Sequence, residues 1–220
     1  MKRARSPDLP PSHAGARLAL GLVALLAGCH LLPVAQDDPA HFYLLVADAP
    51  VAPTVPPANG ALTLGLSPVE LPTYLRNRAL ALRRGGEVVY ADNHRWAEPL
   101  DDAVARVVHA RLKSSPPVSV VLTAPFPIGV ARDYDVSVRL LSCEGVRDAS
   151  GRITAQFSAA IEITRADAGR AVVRRETFVA PAAGWDGRDY AALAALLGAD
   201  AGRLATEIVS DLPPPAAAGR

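Results

Sequence analysis

Only two cysteines, Cys29 and Cys143, occur in the 220 residues, so the chain can form one disulfide at most and has no cysteine-rich metal site. Nor does one charge dominate: 23 basic residues face 22 acidic ones, net +1, and no strongly basic field points to nucleic acid. Lysine is nearly missing, with Lys2 and Lys113 the only two. Beside abundant Ala and Pro, this bias toward Arg reads as composition rather than guanidinium-specific recognition, although Arg and Lys differ chemically. No apolar run reaches the roughly 20 residues of a membrane-spanning helix. Also missing are the G-x-S-x-G elbow, H-E-x-x-H, a phosphate loop and a dinucleotide glycine fingerprint, so any enzymatic chemistry must come from scattered residues. What is present is 50% hydrophobic and 20% charged. That length and balance suit one or at most two globular domains and exclude disordered and collagenous chains.

The first 28 residues carry Lys2, Arg3, Arg5 and Arg17, then the apolar run Leu18 to Leu26, then Ala27-Gly28-Cys29. This order is that of a secretory signal peptide. Leu26-Ala27-Gly28-Cys29 resembles the lipobox of bacterial lipoproteins, in which the Cys thiol takes a diacylglyceryl group, the signal is cut before it and the new amino terminus is acylated, commonly with palmitate. That resemblance implies Cys29 as the lipidation site, with covalent acyl lipid in place of any cofactor. Two or more acyl chains hold a protein stably on a bilayer without spanning it. His30 stands where an inner-membrane retention signal has Asp, which points to the periplasmic face of the outer membrane. Loss of residues 1–28 removes four basic residues and Asp8, turning +1 into −2. It also leaves Cys143 without a partner, as a buried apolar residue rather than a reactive thiol.

Residues 29–41 form the acylated Cys and a tether, 42–212 a single α+β domain, and 213–220 a disordered tail. The domain is expected to hold a mixed, largely antiparallel sheet with two main amphipathic helices packed on it. A buried strand is expected at Phe42–Val46 and another at Leu62–Leu66. Two short strands at 79–83 and 87–91 flank the hairpin signal Gly85-Gly86. Leu100, Ala103, Val104, Val107, Val108 and Leu112 recur at helical spacing after Pro99, with Asp101 and Asp102 at the positive end of the dipole. A buried strand returns at 118–122. Residues 133–180 read as a three-stranded meander, with Ile153, Ala155, Phe157, Ala159, Ile161 and Ile163 on one face. A last helix spans 186–212, where Gly198 and Gly202 predict close packing or a local irregularity.

Candidate functional residues cluster in two stretches, Ser67 to Leu75 and Asp92 to Leu100. His94, near Asp92 and Glu98, offers a base with an orienting carboxylate, yet no Ser or Thr accompanies it, and a hydrogen-bonded structural histidine is the more economical reading. Tyr74, Arg95 and Trp96 are of types enriched at binding hot spots and equally at core edges. Both readings stay open for them. His109 on the polar face of the first helix and His41 in the tether do not make a metal site.

The lipobox, Phe42-Tyr43-Leu44-Leu45, Val69-Glu-Leu-Pro-x-Tyr74-Leu75, and above all His94-Arg95-Trp96-Ala97-Glu98-Pro99-Leu100 before an amphipathic helix, together resemble the PqiC/YmbA family of ABC-type transport auxiliary lipoproteins. Arg76-Asn-Arg-Ala79 departs from the family, whose members often place an acidic residue and a Pro-Gln pair there. The resemblance implies a non-enzymatic periplasmic lipoprotein on the outer membrane. It would serve as docking or accessory subunit to an MCE-domain periplasmic protein and inner-membrane transporter components that move lipid between membranes, and would be able to form a homo-oligomeric ring. Two rivals remain: an envelope-integrity or assembly lipoprotein binding another periplasmic protein, and a His94-dependent hydrolase.

Overall fold

The computed structural model describes residues 39–47 and 62–213. The expected signal peptide, Cys29, most of the expected tether, residues 48–61 and the expected tail beyond Pro213 lie outside the described residues. The strands are β1 (His41–Tyr43), β2 (Leu62–Leu66), β3 (Ala79–Arg84), β4 (Glu87–Trp96), β5 (Val118–Thr123), β6 (Tyr134–Arg147), β7 (Ile153–Arg165), β8 (Val172–Val179) and β9 (Ala183–Gly184). The helices are α1 (Leu100–Lys113) and α2 (Tyr190–Ser210).

One mixed sheet organises the molecule, in the order β1-β4-β3-β6-β2-β5, with β7 on the other edge of β6 and both β8 and β9 on β7. β6 is its spine. Its first residues pair in parallel with β2, Leu64 opposite Tyr134, and its last pair in parallel with β3, Leu82 opposite Gly145. Between them the chain keeps to the same edge: the amides of Ser67 and Glu70 donate to the carbonyls of Val136 and Val138, and Leu140 N donates back to Glu70. Pro68 and Pro72 have no N–H to add to this ladder. The chain then leaves it as a short 3-10 turn at Thr73–Arg76 before β3 rejoins. Residues 62–84 thus act as one long interrupted partner of β6. The sheet is mixed because short parallel ladders flank the long antiparallel β6–β7 ladder.

On the inner face Val136, Val138, Leu140 and Cys143 lie opposite Ile163, Ile161, Ala159 and Phe157. A bulge between Leu140 and Ser142 restores that phase after two consecutive non-facing residues. Helices α1 and α2 pack on each other and on this face, closing one core that includes Trp96, Leu100, Val104, Leu197 and Leu204.

The expected buried strand at 42–46 is corrected by the structure. Only His41–Tyr43 pairs, at the sheet edge beside β4. Leu45 is buried, whereas Phe42, Leu44 and Val46 are more than half exposed. Residues 44–47 instead strap the helices: Arg106 Nη2 of α1 donates to the Leu45 carbonyl at 3.0 Å, and a Cβ on Gly198 of α2 would stand 2.1 Å from the Val46 oxygen. The close packing expected at Gly198 is this crossing. The strand expected as buried at 118–122 is likewise an edge strand, with Val120 43% exposed. Helix α2 begins at Tyr190 rather than 186, because Asp186 caps the amides of Arg188 and Asp189 in a preceding turn and Asp189 accepts from Ala192 N.

Candidate functional site

Strand β4 alternates, so the residues of the 94–100 stretch divide between two faces. His94 and Trp96 turn toward the helices. Arg95, opposite Ala79 and Phe42, turns to the outer face beside Arg78, Tyr90 and Asp92. Trp96 is 3% exposed and fills the core under α1. Pro99 stands at the N-cap of α1, its carbonyl accepting from Ala103 N, and Leu100 opens the helix fully buried. Glu98 pairs with Arg106, the same arginine that holds the strap.

The imidazole of His94 is the centre of an aromatic clasp. Tyr190, the first residue of α2, stacks on it at 4.1 Å between centroids, and His41 stacks at 5.3 Å. The Tyr43 hydroxyl shares a 2.8 Å hydrogen bond with Nδ1. Trp185 meets Tyr190 edge-on at 5.3 Å, with its indole N–H donating to the Asp189 carbonyl at 2.7 Å. Burial, and then the neighbouring His41, hold the His94 pKa below the ordinary imidazole value of 6.5. The ring is therefore neutral near pH 7. With one nitrogen and its ring faces engaged, it ties β1, β4 and α2 together.

Tyr74 lies elsewhere. Its ring covers the outer face over β6, its hydroxyl donating to the Leu141 carbonyl at 3.3 Å and its carbonyl accepting from the Tyr90 hydroxyl at 3.0 Å. Beneath it sits Glu144, 1% exposed and bound by Arg83 Nε at 2.7 Å. Burial and the adjoining Glu144 carboxylate raise the phenol of Tyr74 far above its ordinary value of 10. Leu75 drops into the core. The structure thus brings His94 together with Tyr43, His41, Tyr190 and Trp185, and does not bring it to Tyr74.

Sequence reasoning missed the Arg83–Glu144 pair because the β6 bulge changes which residues face outward, and no local pattern announces it. It also missed Asp200, 1% exposed on the apolar stripe of α2 and paired with Arg203 at 2.6 Å. An acid three residues after Leu197 and four before Leu204 was the available signal. Among the described residues Glu176, Glu207 and Asp211 bring carboxylate oxygens within 4.8 Å of one another, the arrangement able to hold a cation. Arg174 already sits there, 2.7 Å from Glu176 and 3.3 Å from Asp211. The Glu176 carboxyl is pushed up chiefly by its hydrogen bond to Asp211. His109 Nε2 donates to the Val121 carbonyl at 3.3 Å, joining α1 to β5. Cys143 is a free, buried thiol pushed up by desolvation.

The described residues thus form an α+β domain with a single helical layer, its most specific sequence stretch spent on an aromatic clasp and a helix start. The sequence fits the model of one family over residues 43–209, described as the ABC-type transport auxiliary lipoprotein component. The chain belongs to that family. Among solved structures it is similar to a Xanthomonas campestris protein assigned to DUF330, at 18% identity and TM-score 0.62, covering 77% of this chain and 93% of that one. It is similar also to an uncharacterized protein at 18% identity and TM-score 0.60, covering 79% and 99%. These likenesses concern the fold. No curated protein matches the sequence significantly. No helix among the described residues is long and apolar enough to cross a membrane.

Proposed function

We propose that the chain is an outer-membrane-anchored periplasmic lipoprotein, acylated at Cys29, that serves as a non-catalytic docking subunit of an MCE-type intermembrane lipid transport system. The observation that carries this reading is the family match across residues 43–209, joined to the Leu26-Ala27-Gly28-Cys29 signal that precedes it. Acyl chains at Cys29 would hold the domain to one membrane while its surface meets the MCE-domain protein and, through it, the inner-membrane components. Assembly of several copies into a ring belongs to the same proposal. Within the 94–100 stretch, the partner-facing role falls to the outward Arg95, with Arg78 and the rim of Tyr74; His94, Trp96, Pro99 and Leu100 support it from inside.

The engagement of His94 by Tyr43, His41 and Tyr190 argues for accessory work rather than a His94-dependent hydrolase. Membrane separation with mass analysis of the amino-terminal peptide tests the anchoring directly. A lipid-modified peptide beginning at Cys29 in the outer-membrane fraction is expected. An unmodified peptide, or an inner-membrane or soluble chain, overturns it.

A further inference from the structure

Between β5 and β6 lies Ala124-Pro-Phe-Pro-Ile-Gly-Val-Ala131, eight consecutive residues without a charged or hydrogen-bonding side chain. The connection is a parallel crossover. It leaves β5 where Ala124 N donates to the Leu66 carbonyl and returns where Asp133 N donates to the Thr63 carbonyl, so it passes over β2. Its base is pinned. Arg132 Nε donates to Asp135 at 2.7 Å, Asp135 is 4% exposed, and the guanidinium lies 4.1 Å over the ring of Phe126. The crossing needs Gly65 beneath it, since a Cβ there would stand 2.3 Å from the Asp135 carboxylate and 2.9 Å from the Arg132 side chain. Asp133 fastens the same base through its carboxylate, which accepts from Thr63 N at 2.7 Å.

The tip, by contrast, is exposed. Ile128 is fully exposed and Val130 is 44% exposed, on a turn in which Gly129 takes φ +80°. A fixed base that presents a bare Ile is the opposite of what a loop facing water alone would select, since apolar surface left in water forgoes about 25 cal/mol for each Å² it could bury.

We infer that residues 125–130 form an apolar finger that enters the headgroup and upper acyl region of a lipid bilayer. This rests on the proposed anchoring in one respect: Cys29 lies 12 residues before His41, and an extended chain reaches about 3.5 Å per residue, so the domain works within about 40 Å of the bilayer holding its acyl chains. A lipid surface fits the tip because Pro, Ile, Gly and Val offer burial and no directional polar contact. It fits the surroundings because Arg165 and Arg170 are exposed beside the base, where Ala166 N donates to the Asp133 carbonyl, while Asp133, Asp135 and Asp167 are engaged by the protein's own groups. Arg170 also lies 3.8 Å from Asp135, so Arg165 is the cation left to face lipid phosphate, with the exposed edge of Arg170 beside it. A second contact on a tethered domain acts at high effective concentration, so a small apolar tip is enough to set orientation.

The test uses the full mature chain with Ile128→Cys, labelled by an environment-sensitive fluorophore and placed on phosphatidylethanolamine/phosphatidylglycerol vesicles. Cys143 is buried and does not compete for label. Ala149→Cys, in the turn at the far end of β6, is the comparison site. The finger predicts that the 128 label shifts to the blue and is quenched by brominated acyl chains while the 149 label stays in water. Ile128→Asp, with the label moved to Val130→Cys, should weaken that partitioning about tenfold. An aqueous signal at 128 on vesicles overturns the inference, as does one that changes only when a second protein or further copies of the chain are added. The mass of the amino-terminal peptide is read separately. An acylated chain with an aqueous 128 label defeats the finger alone, and an unmodified chain whose label enters lipid defeats the anchoring alone.

Discussion

Residues 94–100 and 124–131 are opposites. The first is the most recognisable stretch of the sequence, and its side chains mostly point inward: His94 into an aromatic stack, Trp96 and Leu100 into the core, Glu98 onto Arg106. The second matches no motif, and its tip stands in solvent above a base locked by Arg132 and Asp135. The difference teaches that a distinctive motif can record how strongly a fold constrains its residues, while a contact surface can be written in residues that carry no signature at all. A binding residue need only be presented; a packed residue must satisfy every neighbour.

Breaking the inward half should cost the most. Trp96→Ala empties a site that is 3% exposed and is expected to lose about 3–5 kcal/mol in denaturant unfolding. Gly198→Ala forces a methyl into the Val46 carbonyl, 2.1 Å away. A loss of about 1–3 kcal/mol is expected, together with faster proteolysis at the 44–47 strap. For His94, the folded pKa lies below the unfolded 6.5, so its contribution is complete above 6.5 and fades as pH falls through the folded value. His94→Gln should cost about 0.5–1.5 kcal/mol near neutrality and flatten that acid slope in pH-dependent melting curves; an unchanged slope would remove His94 from the clasp. Ile128→Asp sits at the other extreme. Its unfolding free energy should stay within about 0.5 kcal/mol of the wild type, and a larger loss would mean that the tip is packed rather than presented.

Much of the fold could be read from periodicity. Leu100 to Leu112 repeats on a helical stripe, Ile153 to Ile163 alternates on a strand, and both elements form as expected. The strands of the meander are joined by Asp-initiated turns, with Asp148 accepting from the Ser150 and Arg152 amides and Asp167 from those of Gly169 and Arg170. Phe42–Val46 failed as a buried strand because an apolar run does not say whether sheet or helix layer will take it; here Leu45 alone goes in and the backbone crosses Gly198. At the candidate site, the sequence supplied His94 and Trp96 without their partners. Tyr43, Tyr190 and Trp185 come from segments about 50 and about 90 residues distant, joined only by the β1–β4 ladder and the start of α2. Glu144 was hidden by a bulge and is visible only once β3 brings Arg83 alongside.

Affinity capture of the mature, acylated chain from detergent-solubilised envelopes tests the central claim most directly, with identification of both protein and lipid that come with it. The account predicts an MCE-domain protein in the captured complex, recovered as well by His94→Gln as by the wild type. Recovery of the chain alone, or with a different periplasmic protein and no MCE-domain component, would contradict it.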